Sequence, residues 1–354
     1  MDRETIRVGI IGAGRNTRDK HIPGLRAQPA VEIRSVTNRS LESSKLAAEE
    51  LGIEGVFGTW VDLLDHDEVD AVCIGTWPYM HAPITIAALE RGKHVLCEAR
   101  MAMNASEAQA MLAASRLHPH LVAQIVPAPT TLAFDQTIIE IISAGRIGEI
   151  ITLDARLARD SDYPDPQSPL HWRHDRTLSG NNIMSMGIWY ECIMRWVGPA
   201  KSVFAVGQNV VGHRRDQNGR RVAMTILDHV DVVGELEQGG QMRLSVSSVL
   251  GHAPAVADIC IFGTEGTLRF LRDDAGDSLW LASRGGSGLE QVTIDPKKKG
   301  RWRVEEEFIN AIRGVEPVTH TDFPTGVRYM EWTDAVTMSL RSRSSVMLPL
   351  ASSG

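Results

Sequence analysis

The feature that most limits the fold of this chain is the run Ile6–Ile11 (Ile-Arg-Val-Gly-Ile-Ile), which passes without a break into Gly12-Ala13-Gly14. An apolar run of this length, closed by glycines, reads as a buried strand ending in a tight turn. A helix pattern then carries the chain to Ala27. At such a strand–turn–helix junction the free N–H groups of the helix start and its dipole favour an anion. Gly12 permits the turn, and Gly14 lets a phosphate approach the backbone. The third glycine of the usual dinucleotide fingerprint is absent, and Thr17 stands in its place.

The rest of the first third repeats the alternation. Residues 31–37, 70–75 and 93–98 read as strands, and residues 41–51, 84–91 and 105–115 as helices. Strands alternating with helices at this spacing imply a parallel, doubly wound sheet of the Rossmann type. Past about residue 126 the pattern changes. A helix begins over 137–142 and stops at Gly145, and strands follow over 150–159, 203–208, 228–237, 241–248 and 257–262. Gln238-Gly239-Gly240 joins two of them as a hairpin. Helices over 304–313 and 327–341 close the chain. The expectation is a dinucleotide-binding domain over 1–126 and an α+β domain over 127–354 with a largely antiparallel sheet. No internal repeat is visible.

Composition removes several functions. The 354 residues are 43% hydrophobic and 23% charged with a net charge of −7, which suits a globular protein and argues against nucleic acid as a partner. Arg214-Arg215 and Lys297-Lys298-Lys299 read as solvated turns. The start Met-Asp-Arg-Glu is charged, and no apolar run approaches the ~18 residues of a membrane span, so the chain reads as cytoplasmic. Cys73, Cys97, Cys192 and Cys260 lie in apolar surroundings without CxxC spacing, which points to free thiols and no metal site.

The end of the second strand should select the nucleotide. An acidic residue there would hold a ribose 2′-hydroxyl, and a basic one would accept a 2′-phosphate. The sequence has Asn38-Arg39-Ser40, with no carboxylate before Glu42. This favours NADP, with Arg39 and Ser40 on the phosphate and NAD as the alternative.

Several segments resemble the Gfo/Idh/MocA oxidoreductase family in order and spacing: Gly12-Ala13-Gly14 with His21-Ile22-Pro23, Gly75-Thr76-Trp77-Pro78-Tyr79-Met80-His81, Ala88–Glu98, Gly145–Ile150, His171-Trp172-Arg173 and Gly263–Leu268. The resemblance covers nearly the whole chain. It implies an open-faced sheet in the second domain, used for substrate binding and for a homodimer or homotetramer. It implies oxidation of one hydroxyl of a sugar, cyclitol or cyclic diol, or the reverse reduction. It also sets Asn16, Thr17, Asn38, Thr76, Trp77, His81 and Glu98 beside Gly12 and Gly14 as cofactor-site residues.

Such chemistry needs a group that takes or supplies the hydroxyl proton. The family uses a lysine in a Glu-Lys-Pro motif, and an aspartate and histidine four residues apart on a helix. Here the first motif reads Glu98-Ala99-Arg100, and the second pair reads Ser185 and Trp189. Alanine and tryptophan cannot transfer protons, and arginine is too basic to do so near neutrality. The replacements offered by the sequence are His174, whose imidazole titrates near neutral pH, and Tyr190, with Arg100 placed to orient a carboxylate. Trp172, Arg173, Trp189 and Glu191 are the expected substrate contacts. The leading reading is an NAD(P)-dependent oxidoreductase acting on CH–OH groups with an atypical proton-transfer site. Two others fit the same residues: a redox-neutral lyase or glycosidase-type enzyme with tightly bound dinucleotide, and a catalytically silent nucleotide-binding subunit.

Overall fold

The computed structural model describes residues 5–158 and 163–351. The charged start 1–4, and residue 159 of the expected strand 150–159, lie outside the described residues. Two compact units form, one from residues 1–127 with 302–327, the other from 128–301 with 328–354.

The first unit holds a six-stranded parallel sheet of β1 (Ile6–Ile11), β2 (Val31–Thr37), β3 (Gly55–Phe57), β4 (Ala71–Ile74), β5 (His94–Cys97) and β6 (Ala123–Ile125). Their spatial order is 3-2-1-4-5-6, the doubly wound Rossmann arrangement. Every residue of β4 is buried, as expected for a strand covered on both faces. Helices α1 (Ile22–Arg26), α2 (Leu41–Leu51), α3 (Trp60–Leu64), α4 (His81–Glu90) and α5 (Ala105–Leu117) connect the strands. The first helical segment is not uniform: Thr17–His21 is wound as a wider π-type turn ahead of α1, and it turns both Thr17 and His21 inward. The strand order reverses between β1 and β4, and Gly12 and Gly75 meet at that switch point, where ligands of such sheets bind. The late segment 302–327 joins this unit because Val304, Phe308 and Ile309 pack into the core of Val8, Ile10 and Leu25.

The second unit opens with α6 (Leu132–Ser143), β7 (Ile150–Ala158), α7 (Arg176–Ser179) and α8 (Met186–Val197). It continues through β8 (Ala200–Gln208), β9 (His213–Arg215), β10 (Arg221–Ala223), β11 (His229–Leu236), β12 (Gln241–Ser247), β13 (Ala257–Gly263), β14 (Gly266–Asp273), β15 (Gly276–Ser283) and β16 (Glu290–Gln291). Helix α9 (Val304–Ile312) returns to the first unit. Helix α10 (Phe323–Ser342) and β17 (Val346–Met347) end the described chain. Among the described residues nine strands form one mixed sheet in the order 16-15-14-13-7-12-11-8-17, parallel only between β7 and β12. Its buried face carries Leu153, Val232, Leu244 and Ile261, covered by α8 and the later part of α10, where Tyr190 and Trp332 stack. The other face is open. Among the described residues no helix is long and apolar enough to cross a membrane, and no cluster of three or more His, Cys, Asp or Glu side chains could hold a metal ion.

Candidate functional site

In the first unit the turn after β1 is built for close approach. Gly12 has φ +89°, and a Cβ there would lie 2.9 Å from the carbonyl carbon of Gly75. Only glycine satisfies both demands. A Cβ on Gly14 would meet only the Gly75 carbonyl oxygen at 3.4 Å, an ordinary contact. The protein alone therefore does not demand glycine at position 14, whereas a phosphate lying on that backbone does. The residues present fit the pyrophosphate of a dinucleotide. Thr17 accounts for the missing third glycine: it is buried, and its hydroxyl donates to the Gly12 carbonyl at 3.1 Å, fastening the turn from inside.

Asn38 braces the same turn. Its Oδ1 accepts the Ala13 N–H at 2.8 Å and its Nδ2 donates to the Ser43 carbonyl at 2.9 Å, so the amide joins the glycine turn to α2. Ser40 caps α2 by accepting the Ser43 N–H at 3.2 Å. Both residues expected to touch nucleotide are thus occupied in holding the backbone. Arg39 is exposed at the end of β2 and has no hydrogen-bond or ionic partner among the described residues.

Past β4, the buried hydroxyl of Thr76 has no hydrogen-bond partner among the described residues. Half-buried Trp77 precedes the short turn Pro78–Met80. His81 is fully buried, with Nδ1 2.8 Å from the Arg100 carbonyl and Nε2 3.1 Å from the Thr76 carbonyl. Burial pushes its pKa down, against the pull of these carbonyls. A neutral ring donates to one of them at a time, so His81 clasps the β4 and β5 loops together. Arg100 is itself mostly buried.

A charged cluster that sequence reasoning missed lies next to this turn. His21 is fully buried, with Nδ1 2.6 Å from Glu305 Oε1 and Nε2 3.0 Å from Glu98 Oε1. Burial alone would lower the His21 pKa. Hydrogen bonds and charge from Glu305 and Glu98 outweigh burial and raise it to about 9. Burial would conversely raise the Glu98 pKa, but His21⁺, Asn16 and the Ala99 N–H bring it down to about 2. Asn16 and Glu98 are therefore in contact, as members of one hydrogen-bonded group. The sequence named Asn16 and Glu98 as cofactor-site residues and carried His21 within a family-like motif, but it did not join them. Nothing local ties it to a glutamate 284 positions away.

In the second unit three cavities run in series, sharing residues of their walls. One of about 230 Å³ is lined by Arg173, Met184, Ser185, Ile188 and Trp189 among others. The next, about 320 Å³, shares Arg173 and Met184 and adds His171, His174, Ser168, Ser248 and Arg214. A third, about 500 Å³, shares Arg214 and adds His213, Arg215 and Arg221. Met184 reaches two of these cavities from a left-handed backbone position, φ +47°.

Local sequence explains the walls. The loop carrying Trp172–His174 forms a short turn in which Arg173 N–H donates to His171 Nδ1 and His171 N–H donates to His174 Nδ1, both at 3.2 Å. The Arg173 guanidinium lies 4.3 Å from the centre of the Trp172 ring, so Trp172 supports Arg173. The β9–β10 arm is held at its base by buried Asp228, whose carboxylate accepts the N–H groups of Val210 and Val211 at 2.8 Å each. Leu170 N–H donates to the Arg215 carbonyl at 2.9 Å, tying loop to arm. Arg173, His174 and Trp189, picked out from the sequence, are thus brought together. Arg214 was read as part of a solvated turn. It is half-buried and stands between two cavities.

Two other expected site residues are committed elsewhere. Tyr190 stacks on Trp332 with ring centres 3.9 Å apart, and its hydroxyl oxygen accepts the Ala200 N–H at 2.9 Å. Burial pushes its pKa up. Glu191 is fully buried and accepts the Ala128 N–H at 3.1 Å beside Arg195, which also faces Asp135 at 3.0 Å. Both are packing residues. Their residue types suggested chemistry, but the buried side of α8 set their role.

Residues 6–124 match the model of an oxidoreductase family with an NAD-binding Rossmann fold, and residues 136–269 match that of the GFO/IDH/MocA C-terminal domain. An uncharacterized oxidoreductase of Rhizobium meliloti, ORF334, is 27% identical over 329 residues, 89% of this chain and 91% of that protein. Levoglucosan dehydrogenase of Pseudarthrobacter phenanthrenivorans is 30% identical over 191 residues, a match that spans about half of each chain, 51% of this one and 48% of that one. The solved structure of a levoglucosan dehydrogenase in complex with NADH and L-sorbose superposes with a TM-score of 0.83 at 23% identity, covering 98% of this chain and 99% of that one, which shows a shared fold. Two matching domain models in the expected order, on a Rossmann sheet followed by an open-faced mixed sheet, place this chain in the Gfo/Idh/MocA family of oxidoreductases.

Proposed function

We propose that this chain interconverts a hydroxyl and a carbonyl on a sugar-, cyclitol- or cyclic-diol-like substrate, using NADP(H) in preference to NAD(H). The observation that carries the proposal is the turn at Gly12–Gly14, where Gly14 has no structural need of glycine and a phosphate does. Bound dinucleotide supplies or accepts the hydride. Arg39, exposed and unpartnered among the described residues, holds the 2′-phosphate. The substrate lies in the second unit's cavities, where serine hydroxyls and imidazoles meet sugar hydroxyls and Trp189 offers a ring face. The relative named levoglucosan dehydrogenase supports a sugar-like substrate.

His174 faces the reacting oxygen. Because its Nδ1 accepts the His171 N–H, the neutral ring carries its proton on Nε2. It therefore donates a hydrogen bond to the reacting oxygen and stabilises the developing alkoxide, which takes its proton from solvent on reduction and returns it to solvent on oxidation.

The test has two steps. Protein stripped of nucleotide is titrated with NADP⁺, NADPH, NAD⁺ and NADH, and carbonyl sugars are then screened for NADPH oxidation. Tighter binding of the NADP pair is expected, with His174→Ala lowering kcat by roughly 10²-fold, the scale of one lost oxyanion donor. Tighter binding of NAD⁺ rejects the role of Arg39, and no dinucleotide binding rejects the function.

The redox-neutral reading is favoured by one observation: Ala99, Ser185 and Trp189 occupy the places where the family has its proton-handling residues. Dinucleotide that survives dialysis and never exchanges during turnover would select it.

A further inference from the structure

We propose that the substrate is anionic, bearing a carboxylate or a phosphate, and that Arg214 is the residue that selects it. The inference rests on the reading of the second unit's cavities as the substrate site. This chain has more acidic than basic side chains, 44 against 37. Arginines elsewhere in it find carboxylates: Arg7 pairs with Asp70, Arg34 with Glu68, Arg269 with Asp258, Arg272 with Asp277 and Arg303 with Glu316. Arg214, Arg215 and Arg221 have no carboxylate partner among the described residues. All three line the 500 Å³ cavity, which has no acidic side chain among its described lining residues.

Arg214 also lines the 320 Å³ cavity with Arg173, His171 and His174. The one carboxylate among the described lining residues, Asp165, is engaged in its own turn, with Oδ1 accepting the Gln167 N–H at 2.8 Å. Arg214 is fixed: it donates to the Ser168 hydroxyl, which in turn donates to the Asp165 carbonyl at 2.7 Å. A half-buried guanidinium aimed by a serine, with no carboxylate partner among the described residues, is matched to an oxyanion, which it can hold through two parallel N–H bonds. Met184, Ile226 and Val249 give the same cavity an apolar wall suited to the carbon face of a ring. The geometry therefore suits a ring in the 320 Å³ cavity and its charged substituent at Arg214. The adjoining cavity receives whatever extends beyond a phosphate.

Isothermal titration of the full chain at constant ionic strength, with and without bound dinucleotide, tests this with glucose, glucuronate, glucose 6-phosphate and inorganic phosphate. At least one anionic sugar should bind about tenfold or more tightly than glucose, the scale of one charge-assisted hydrogen bond. Arg214→Gln should erase that advantage and Arg214→Lys should keep part of it, with unchanged thermal unfolding showing that both variants fold. Preference for glucuronate assigns a carboxylate, and preference for the 6-phosphate assigns a phosphate. Glucose binding as tightly as either anion, an advantage that survives Arg214→Gln, or no binding by any of the four overturns the inference. Selective anion binding without hydride transfer leaves it standing while removing the oxidoreductase reading. Turnover confined to neutral sugars does the reverse.

Discussion

His21 shows how one buried residue can be held in a charge state its surroundings oppose. Taking an imidazolium out of water is costly, so a lone histidine at this depth would be neutral. Two carboxylates, one on each ring nitrogen, reverse that balance. The stabilisation belongs to the protonated ring: it is complete below the ordinary value of 6.5 and is lost as pH rises through about 9. Glu98 works in the opposite sense, stabilising above its ordinary 4.5 and losing that contribution as pH falls toward about 2. Melting temperature should therefore be highest between about pH 4.5 and 6.5 and fall from 6.5 to 9, with a loss on the order of 2 kcal/mol. His21→Gln should cost roughly 3 kcal/mol at pH 6, because two carboxylates are left without their cation, and should flatten the alkaline slope. A wild-type midpoint that does not move between pH 6.5 and 9 would contradict this account. The same values bear on function. A carboxylate held down to about 2 is a poor proton acceptor, so Glu98 does not replace the missing lysine as a base.

At the scale of elements, α8 separates what its residues suggest from what they do. Ser185 and Trp189 line a cavity, whereas Tyr190 and Glu191 turn into the unit behind them. Tyr190→Phe keeps the stack on Trp332 and removes only the acceptor for the Ala200 N–H, so it should cost about 1 kcal/mol and leave kcat/KM of the folded protein unchanged. Glu191→Ala strands Arg195 beside a single remaining carboxylate, Asp135, and should cost roughly 3 kcal/mol, again without a specific loss of turnover. Circular dichroism melts beside steady-state kinetics would separate these cases, and a hundredfold fall in kcat for Tyr190→Phe would return it to the chemistry.

Helical and strand periodicity made the first unit readable, because strands buried on both faces are continuous apolar runs, as β1 and β4 are. It did not reveal β3 or β6, three residues each, whose pairing is imposed by neighbouring strands and not by their own composition. In the site, the dense loop Trp172–His174 was legible and Arg214 was not. The role of Arg214 depends on β9 and β10 folding back over a loop some forty residues earlier, a distance no local pattern records.

For the whole molecule, the open sheet face is the surface that bears on assembly. Successive positions across it are Phe204, Val233, Arg243, Asp154, Cys260, Arg269 and Trp280, neighbours by strand register. Phe204, Val206 and Val233 are among its exposed apolar side chains, a cluster larger than isolated surface hydrophobics. Its charges are balanced in place, Arg243 facing Asp154 at 3.8 Å and Arg269 facing Asp258 at 2.8 Å. A face both apolar and self-neutralised is suited to a two-fold contact with a second copy, in which each patch meets its own equivalent. We propose that two copies pair through this face. Sedimentation at micromolar concentration should give a dimer or a tetramer built from it. Phe204→Glu combined with Val233→Glu should halve the sedimenting mass while leaving far-UV dichroism intact, since both side chains point away from the buried core. If the wild-type chain sediments as a monomer, the exposed cluster serves another contact. If the double variant keeps the wild-type mass, the subunits meet elsewhere and the open face is left to another partner.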